Sequence, residues 1–515
     1  MNSDFTTWLI SATGALDDFL YTYILVFLLV FVAIYFTVRT RFVQIRYIKD
    51  MFTQLFEKKH VPGKKSISSF QAMMVSTASR VGTGNIAGIA TAVALGGPGA
   101  IFWMWLMALF GAASAFVEST LAQIWKIRGK NGEFRGGPAY YIEQALGQRW
   151  LGIIFAILLI ICYAYGFNGL QAYNMASALE YYIPDYATNG TAVALGLVLC
   201  VMTGFVIFGG AKRISIISSV LVPVMALAYL GMGLFITVTN WYLLPDAFYY
   251  IFHSAFDFES IFGGFAGSVI VLGIKRGLFS NEAGMGSAPN AAATASVSHP
   301  CKQGLVQTLS VYIDTMLVCT CSAFIVLIFF VQSGGTFGDL NGMPLVQMAI
   351  NSSIGEFGIH VVTFAIFCFA FSSLIGNYFY AEGNICFITK SNVVLNVFRF
   401  TCLVAIMIGC LNNFTLAWNF ADITMAFMAI VNLVAIFLLG KWAFKALDDY
   451  TRQRNRGLNP VFVSDSIEGM PKTECWHVES DKLEDVGPAP MKEYLQDSMA
   501  NFFALCAAQA IAKRL

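Results

Sequence analysis

Residues 76–88 read STASRVGTGNIAG, and residues 271–289 read VLGIKRGLFSNEAGMGSAP. Each stretch lies inside a long apolar run and interrupts it with glycines, amides and charges. Backbone that leaves the helix at membrane depth is tolerated only where protein or a water-filled cavity satisfies its polar groups, so both stretches mark a buried site. The alternative for Gly84 and Gly88 is a GxxxG helix-packing pair, which would serve one span but would not explain two interrupted ones. GTGNIAG also resembles a dinucleotide fingerprint superficially, but the third glycine is misplaced and no strand precedes it, which excludes nucleotide binding.

The surrounding chain is built for lipid. Its 515 residues are 57% hydrophobic and only 12% charged, with a mean hydropathy of +0.67. A span needs about 20 apolar residues, which excludes a soluble enzyme on a simple anchor. Apolar runs recur at about 18–38, 68–95, 98–125, 150–179, 191–210, 214–240, 262–295, 305–333, 355–388, 393–411 and 418–440. They predict eleven transmembrane helices. The acidic and neutral amino terminus lacks the positive region of a cleaved signal, so the first run reads as a span.

Positive charge checks that count. Lys and Arg gather after spans 1, 3, 5, 7, 9 and 11, as in Arg39, Lys58, Lys126, Lys212, Lys302, Lys390 and Lys441, whereas segments 1–17, 180–190, 241–261, 334–354 and 412–417 have none. The positive-inside rule then places the amino terminus outside and the carboxyl terminus in the cytoplasm of a bacterial inner membrane. Net charge of +1 with no basic domain excludes nucleic acid as a partner. The eleven cysteines lie mostly in apolar runs at no metal-ligand spacing and read as packing residues. Residues 457–492, with four prolines among mixed charges, read as a flexible tail, and 493–514 as a short amphipathic helix.

The two interruptions lie five spans apart, each in the first helix of a set of five. Five is odd, so the sets face opposite ways across the membrane, as in inverted-repeat secondary transporters with a midplane site. The expected organisation is a first span and basic loop (1–67), two five-helix repeats (68–261 and 262–440) and a cytoplasmic tail (441–515).

STASRVGTGNIAG, GGPGAIFWMW, FVESTLAQ, FRGGPAYYI, RGLFSNEAGMGSAPNAAATA and FAFSSLIGNYFYAEGN resemble the alanine or glycine:cation symporters of the amino acid-polyamine-cation superfamily, over about residues 18–440. The resemblance implies an all-α, five-plus-five inverted-repeat (LeuT-type) fold with one extra amino-terminal helix and broken helices 2 and 7. It also implies a transporter, not an enzyme, that imports a small neutral amino acid, alanine or glycine, with sodium as coupling ion and no cofactor. Glutamine is the alternative substrate, because family members typically carry a tryptophan after the glycine where this chain has Gly376-Asn377-Tyr378. An amino-acid sensor is a weaker reading, since the tail holds no recognisable output domain, and a channel lacks its filter or charge ring.

An amino-acid zwitterion needs donors for its carboxylate and acceptors for its ammonium. At Gly82, Thr83 and Gly84 small side chains let backbone N–H groups approach a carboxylate at a half-helix amino end. The resemblance places the substrate carboxylate there, matches Gln171 to a substrate-contacting glutamine, and adds Phe167, Gly273, Gly277 and Asn377 to the pocket. The alternative for Gln171, and more so for Asn168 and Asn174, is a structural interhelical hydrogen bond. The resemblance also implies a sodium site of Ser372 and Ser373 hydroxyls with the carbonyls of Ala78 and Val81; unaided, such serines more often bond their own backbone. Asn85 is left between a second sodium and a brace for the break. Arg80, Glu118, Lys275, Arg276, Glu282, Asp314 and Glu382 are charges at depth, expected to act as structural pairs, gates or proton carriers.

Overall fold

The computed structural model describes residues 3–57, 67–129, 133–257 and 269–476, with side chains from residue 7 onward. Lys58, Lys59, Lys64, Lys65, the start of span 7 and the expected 493–514 helix lie outside those residues. Among the described residues, the architecture is helical but for one two-stranded hairpin, Ile127–Arg128 with Phe134–Arg135. Among the described residues, eight helices are long and apolar enough to cross a membrane: Thr7–Arg39, Ala100–Ile124, Arg149–Ser177, Gly210–Thr239, Pro300–Gln332, Glu356–Ile388, Asn392–Cys410 and Phe414–Asn455. These are spans 1, 3, 4, 6, 8, 9, 10 and 11. Span 5 is the shorter Thr191–Ile207.

Spans 2 and 7 are broken, as the sequence predicts. Span 2 opens on a capping box, in which Ser68 Oγ accepts from Gln71 N and Gln71 Oε1 accepts from Ser68 N. Its first half (Ser69–Arg80) ends at Val81, and the second half (Ala87–Gly96) resumes after a single 3₁₀ turn at Thr83–Asn85. Span 7 runs as helix from Val269 to Asn281 and then passes through Glu282, Gly284 and Gly286 at φ 54°, 83° and 87° before Ala288–Ala292. Left-handed backbone at three positions out of five ends any α-helix, and glycine supplies two of them without a Cβ penalty.

Two features depart from expectation. Span 1 begins at Ser3, fifteen residues before the expected start, because Asp17 and Asp18 read as a polar boundary. Residues 457–476, expected within a flexible tail, pack closely, with Phe462, Val463 and Trp476 at 2%, 1% and 6% exposure. Their apolar residues are spaced too irregularly to register as an element.

The extra first span is tied to the bundle by charge. Lys275 on span 7 pairs with Asp17 of span 1 and, at 2.8 Å, with Asp422 of span 11. Arg276 pairs with the same Asp422 at 2.7 Å and stacks 4.2 Å over Trp418. Two cations face two anions, all nearly buried. Removing one partner of such a set leaves an uncompensated charge and costs about 3–5 kcal/mol. Asp422→Asn is therefore expected to lower the melting midpoint of the purified protein clearly, while Asp18→Asn, one residue from the cluster, leaves it unchanged. A midpoint equal to the parent for Asp422→Asn would overturn this assignment.

Candidate functional site

The break in span 2 faces spans 4, 7 and 9. The side chain of span 4 that reaches it is Gln171, whose Oε1 accepts from Thr83 N at 2.9 Å. Asn174, one turn on, donates to Thr83 Oγ1 at 2.8 Å. Gly82 has no room for a side chain: a Cβ there would sit 2.4 Å from Ser373 Oγ and 2.7 Å from Gln171 Nε2. Gly82, Thr83, Gln171 and Ser373 are thus brought into one cluster.

Among the described residues, no hydrogen-bond donor reaches the backbone carbonyls of Ala78, Ser79 and Val81, because Gly82 N turns to Arg80 O and Thr83 N to Gln171. Unpaired carbonyls at membrane depth are strong ligands for a hard cation. Ser372 and Ser373 donate their hydroxyl protons to Phe369 O at 2.8 and 3.1 Å, which leaves both oxygens' lone pairs available. Only Ser373 is brought beside Gly82; Ser372 Oγ lies 3.5 Å from Met225 Sδ on span 6.

Asn85 braces the break. Its Oδ1 accepts from Gly82 N at 3.3 Å and its Nδ2 donates to Ser280 Oγ at 3.0 Å, while Ser322 Oγ donates to its carbonyl at 2.6 Å. Asn377 is likewise a bridge, accepting from Ser79 Oγ at 2.6 Å and donating to Asn168 Oδ1 at 3.0 Å. Above Gly84 an aromatic stack closes one side: Phe279 packs on Phe167 at 4.8 Å and on Trp418 at 5.5 Å, and Trp418 on Phe414 at 6.2 Å.

Gly273 and Gly277 do not join this cluster. A Cβ on Gly273 would meet Ala100 O at 2.5 Å, and one on Gly277 would meet Met104 and Met107 at 3.5 Å or a little more. Both face span 3, where the missing side chains let two helices approach, so packing rather than recognition accounts for them.

The charges at depth are paired or capped. Arg80 lies 3.3 Å from Asp314 Oδ2 and 3.8 Å from Glu282 Oε2, and donates to Gln307 at 3.0 Å and to Ser310. Glu382 pairs with Arg399 of span 10 at 3.3 Å. Glu118 has no cation within 4 Å among the described residues; it accepts from Gly284 N and Gly286 N at 3.1 Å each and from Asn432 Nδ2 at 2.9 Å. It holds the span 7 break in place. Sequence reasoning missed Asp422, Asn432 and Ser79; Asp422 was findable, being an acid well inside the last apolar run.

A broken helix pair with this polar lining calls for comparison with known transporters, and the sodium:alanine symporter family matches residues 6–464. The chain belongs to that family. The match runs past both ends of the 18–440 resemblance and takes in part of the packed tail. Among relatives of this chain, the amino-acid carrier protein AlsT of Bacillus subtilis is 47% identical over 464 residues, covering 90% of this chain and 97% of its own. The probable sodium/glutamine symporter GlnT of the same organism is 46% identical, covering 92% and 97%. The sodium/alanine symporter AgcS of Methanococcus maripaludis is 36% identical, covering 84% and 94%. Among solved structures, MhsT in complex with L-phenylalanine is 12% identical with a TM-score of 0.45, covering 73% of this chain and 99% of its own. The chain is a multi-pass membrane transporter and not an enzyme.

Gly82→Ala tests the site with one methyl group. The Cβ would displace both Ser373 and Gln171. The expected outcome is loss of substrate binding by isothermal calorimetry with a melting midpoint close to the parent. Normal binding would show that the cluster is structural.

Proposed function

We propose that this symporter imports a small neutral amino acid, alanine or glycine, together with sodium, by alternating access around the span 2 break. The observation that carries the reading is the Thr83 N–H held by the Gln171 amide oxygen, because that oxygen stands where a carboxylate oxygen would bind. An arriving carboxylate takes the Thr83 and Gly84 N–H groups at the amino end of the second half-helix, where the dipole favours it. The displaced Gln171 oxygen is then free to accept from the substrate ammonium. Sodium sits among the carbonyls of Ala78 and Val81 and the hydroxyl of Ser373, with Ser372 as the next ligand. Phe167 covers the substrate through its stack with Phe279, and Asn377 sets the cavity width by tying span 9 to span 4.

Residues 68–261 and 262–440 act as the two repeats, with the amino terminus outside and the carboxyl terminus in the cytoplasm of a bacterial cell membrane. Moving one positive charge inward through 100 mV releases about 2.3 kcal/mol, roughly 50-fold accumulation. A second reading takes glutamine as the main substrate. It is favoured by the amide at Asn377, and the relative named as a probable sodium/glutamine symporter is almost as similar as any reported above.

Reconstituted uptake separates these readings. Labelled alanine competed by each neutral amino acid in turn gives the substrate order. Gln171→Ala should weaken every substrate, since a hydrogen bond to a charged group is worth about 1.5–3 kcal/mol. Ser373→Ala should raise the sodium concentration for half-maximal uptake more than Ser372→Ala does. Uptake driven equally well by a proton gradient in sodium-free buffer would falsify sodium coupling.

A further inference from the structure

The packed tail joins the broken spans at one end of the molecule. Trp476 Nε1 donates to Gln123 O at the end of span 3, at 2.7 Å. The Gln123 side chain in turn donates to Ala292 O at 2.5 Å and Ala295 O at 3.1 Å, just past the second half of span 7. Lys126 adds bonds to Gln123 Oε1 at 2.7 Å and Ala295 O at 3.0 Å, with its ammonium between the rings of Phe134 and Trp476 at 4.2 and 4.7 Å. Ser296 N donates to Ile67 O at 3.0 Å, which ties in the start of span 2.

The strap is fixed along its length. Phe462 N donates to Ser298 O at 2.9 Å, and Ser298 Oγ donates to Pro460 O at 2.8 Å. Glu474 Oε1 accepts from Arg128 N on the hairpin at 2.8 Å. Ser464 N closes the strap on itself at Trp476 O, 2.9 Å away, and the rings of Phe462 and Trp476 meet edge to face at 5.6 Å.

Beside this layer is a cavity of about 340 Å³. Its wall includes Ile67, Phe134, Thr294, Glu382 and Cys386, and its rim includes the exposed Lys212. The strap and the cavity therefore share the hairpin and the end of span 7. Apart from a 3₁₀ turn at Ser464–Ser466, the strap has no regular structure of its own, so it can leave without unfolding a span.

We propose that residues 457–476 are a latch that holds this end of the transporter in its cavity-open form, and that undocking Trp476 lets the end close. The proposal rests on the alternating-access reading above. In that scheme the half-helices of the broken spans shift against their neighbours, and the two arrangements are distinct packed states rather than a continuum. Here the end of span 7, the start of span 2 and the end of span 3 are joined in one hydrogen-bonded layer with Trp476 at its edge. A group that binds one of two states shifts the population toward it, and a docked segment of the same chain does so as a ligand would.

Two native thiols report the two halves of the proposal: Cys475 in the strap and Cys386 in the cavity wall, both free and partly exposed. The full-length protein in nanodiscs, with both faces accessible, is labelled with a water-soluble maleimide and each site is followed by peptide mass spectrometry. Trp476→Ala should speed labelling at Cys475 several-fold and slow it at Cys386 several-fold. Trp476→Phe, which keeps the ring but loses the bond to Gln123 O, should shift both rates in the same directions by less, and carries the test if the alanine variant does not fold. Faster Cys475 labelling with Cys386 unchanged would make the strap a passive cover and overturn the latch. Unchanged Cys475 labelling would overturn Trp476 as its anchor. Sodium-driven uptake by the parent protein, measured in parallel, fails only if the transport reading itself fails.

Discussion

The bond between the Glu118 carboxylate and the N–H groups of Gly284 and Gly286 is the constraint on which the rest depends. A span that abandons its helix in lipid leaves amides without acceptors, and each costs several kcal/mol unless protein supplies one. Span 3 supplies it from a single acid, and Asn432 of span 11 closes the remaining side. Once span 7 can stay broken, Glu282 is free to turn toward Ser79 and Arg80, and Phe279 can lie over Gly84. The break in span 2 is thus shaped by the break in span 7.

The two breaks are satisfied by different chemistry, and that difference separates scaffold from site. Glu118 accepts from three donors at once, and losing it would leave them all unpaired. Thr83 N is met by one neutral amide on a rotatable side chain. An exchange of partners there costs one hydrogen bond and returns another, which suits the binding and release proposed for this position. Carbonyls of Ala78, Ser79 and Val81 lie beside it with no donor among the described residues, so the same short stretch offers acceptors for a cation and donors for an anion.

Much of this was legible in the residues. Glycines with polar neighbours inside apolar runs located both breaks, whereas Gln171 and Ser373 were named through the family resemblance, and their proximity to Gly82 is seen only in the fold. Partners were harder to see. Lys275 and Arg276 were visible as buried charges, but Asp17 lies at a helix edge by composition and Asp422 lies 146 residues from Arg276, so neither pairing had a local signal. Gly273 and Gly277 share a motif with the break yet face span 3, because a helical period turns neighbouring residues to different sides. The tail's order comes from Phe462 and Trp476 reaching separate parts of the bundle, which composition does not encode.

Among the described residues, three spans contain a π turn: Tyr21–Leu25 in span 1, Ile161–Phe167 in span 4 and Tyr312–Cys319 in span 8. Such a turn accommodates one residue more than the α-helix around it and so rotates everything beyond it by about 100°. In span 4 it ends at Phe167, immediately before the amides that line the break. The face that meets lipid and the face that meets the span 2 break are therefore set by one inserted residue. Deleting a single amino acid between Ile161 and Gly166 would restore a regular helix and swing Gln171 out of register, although no residue of the site had been changed.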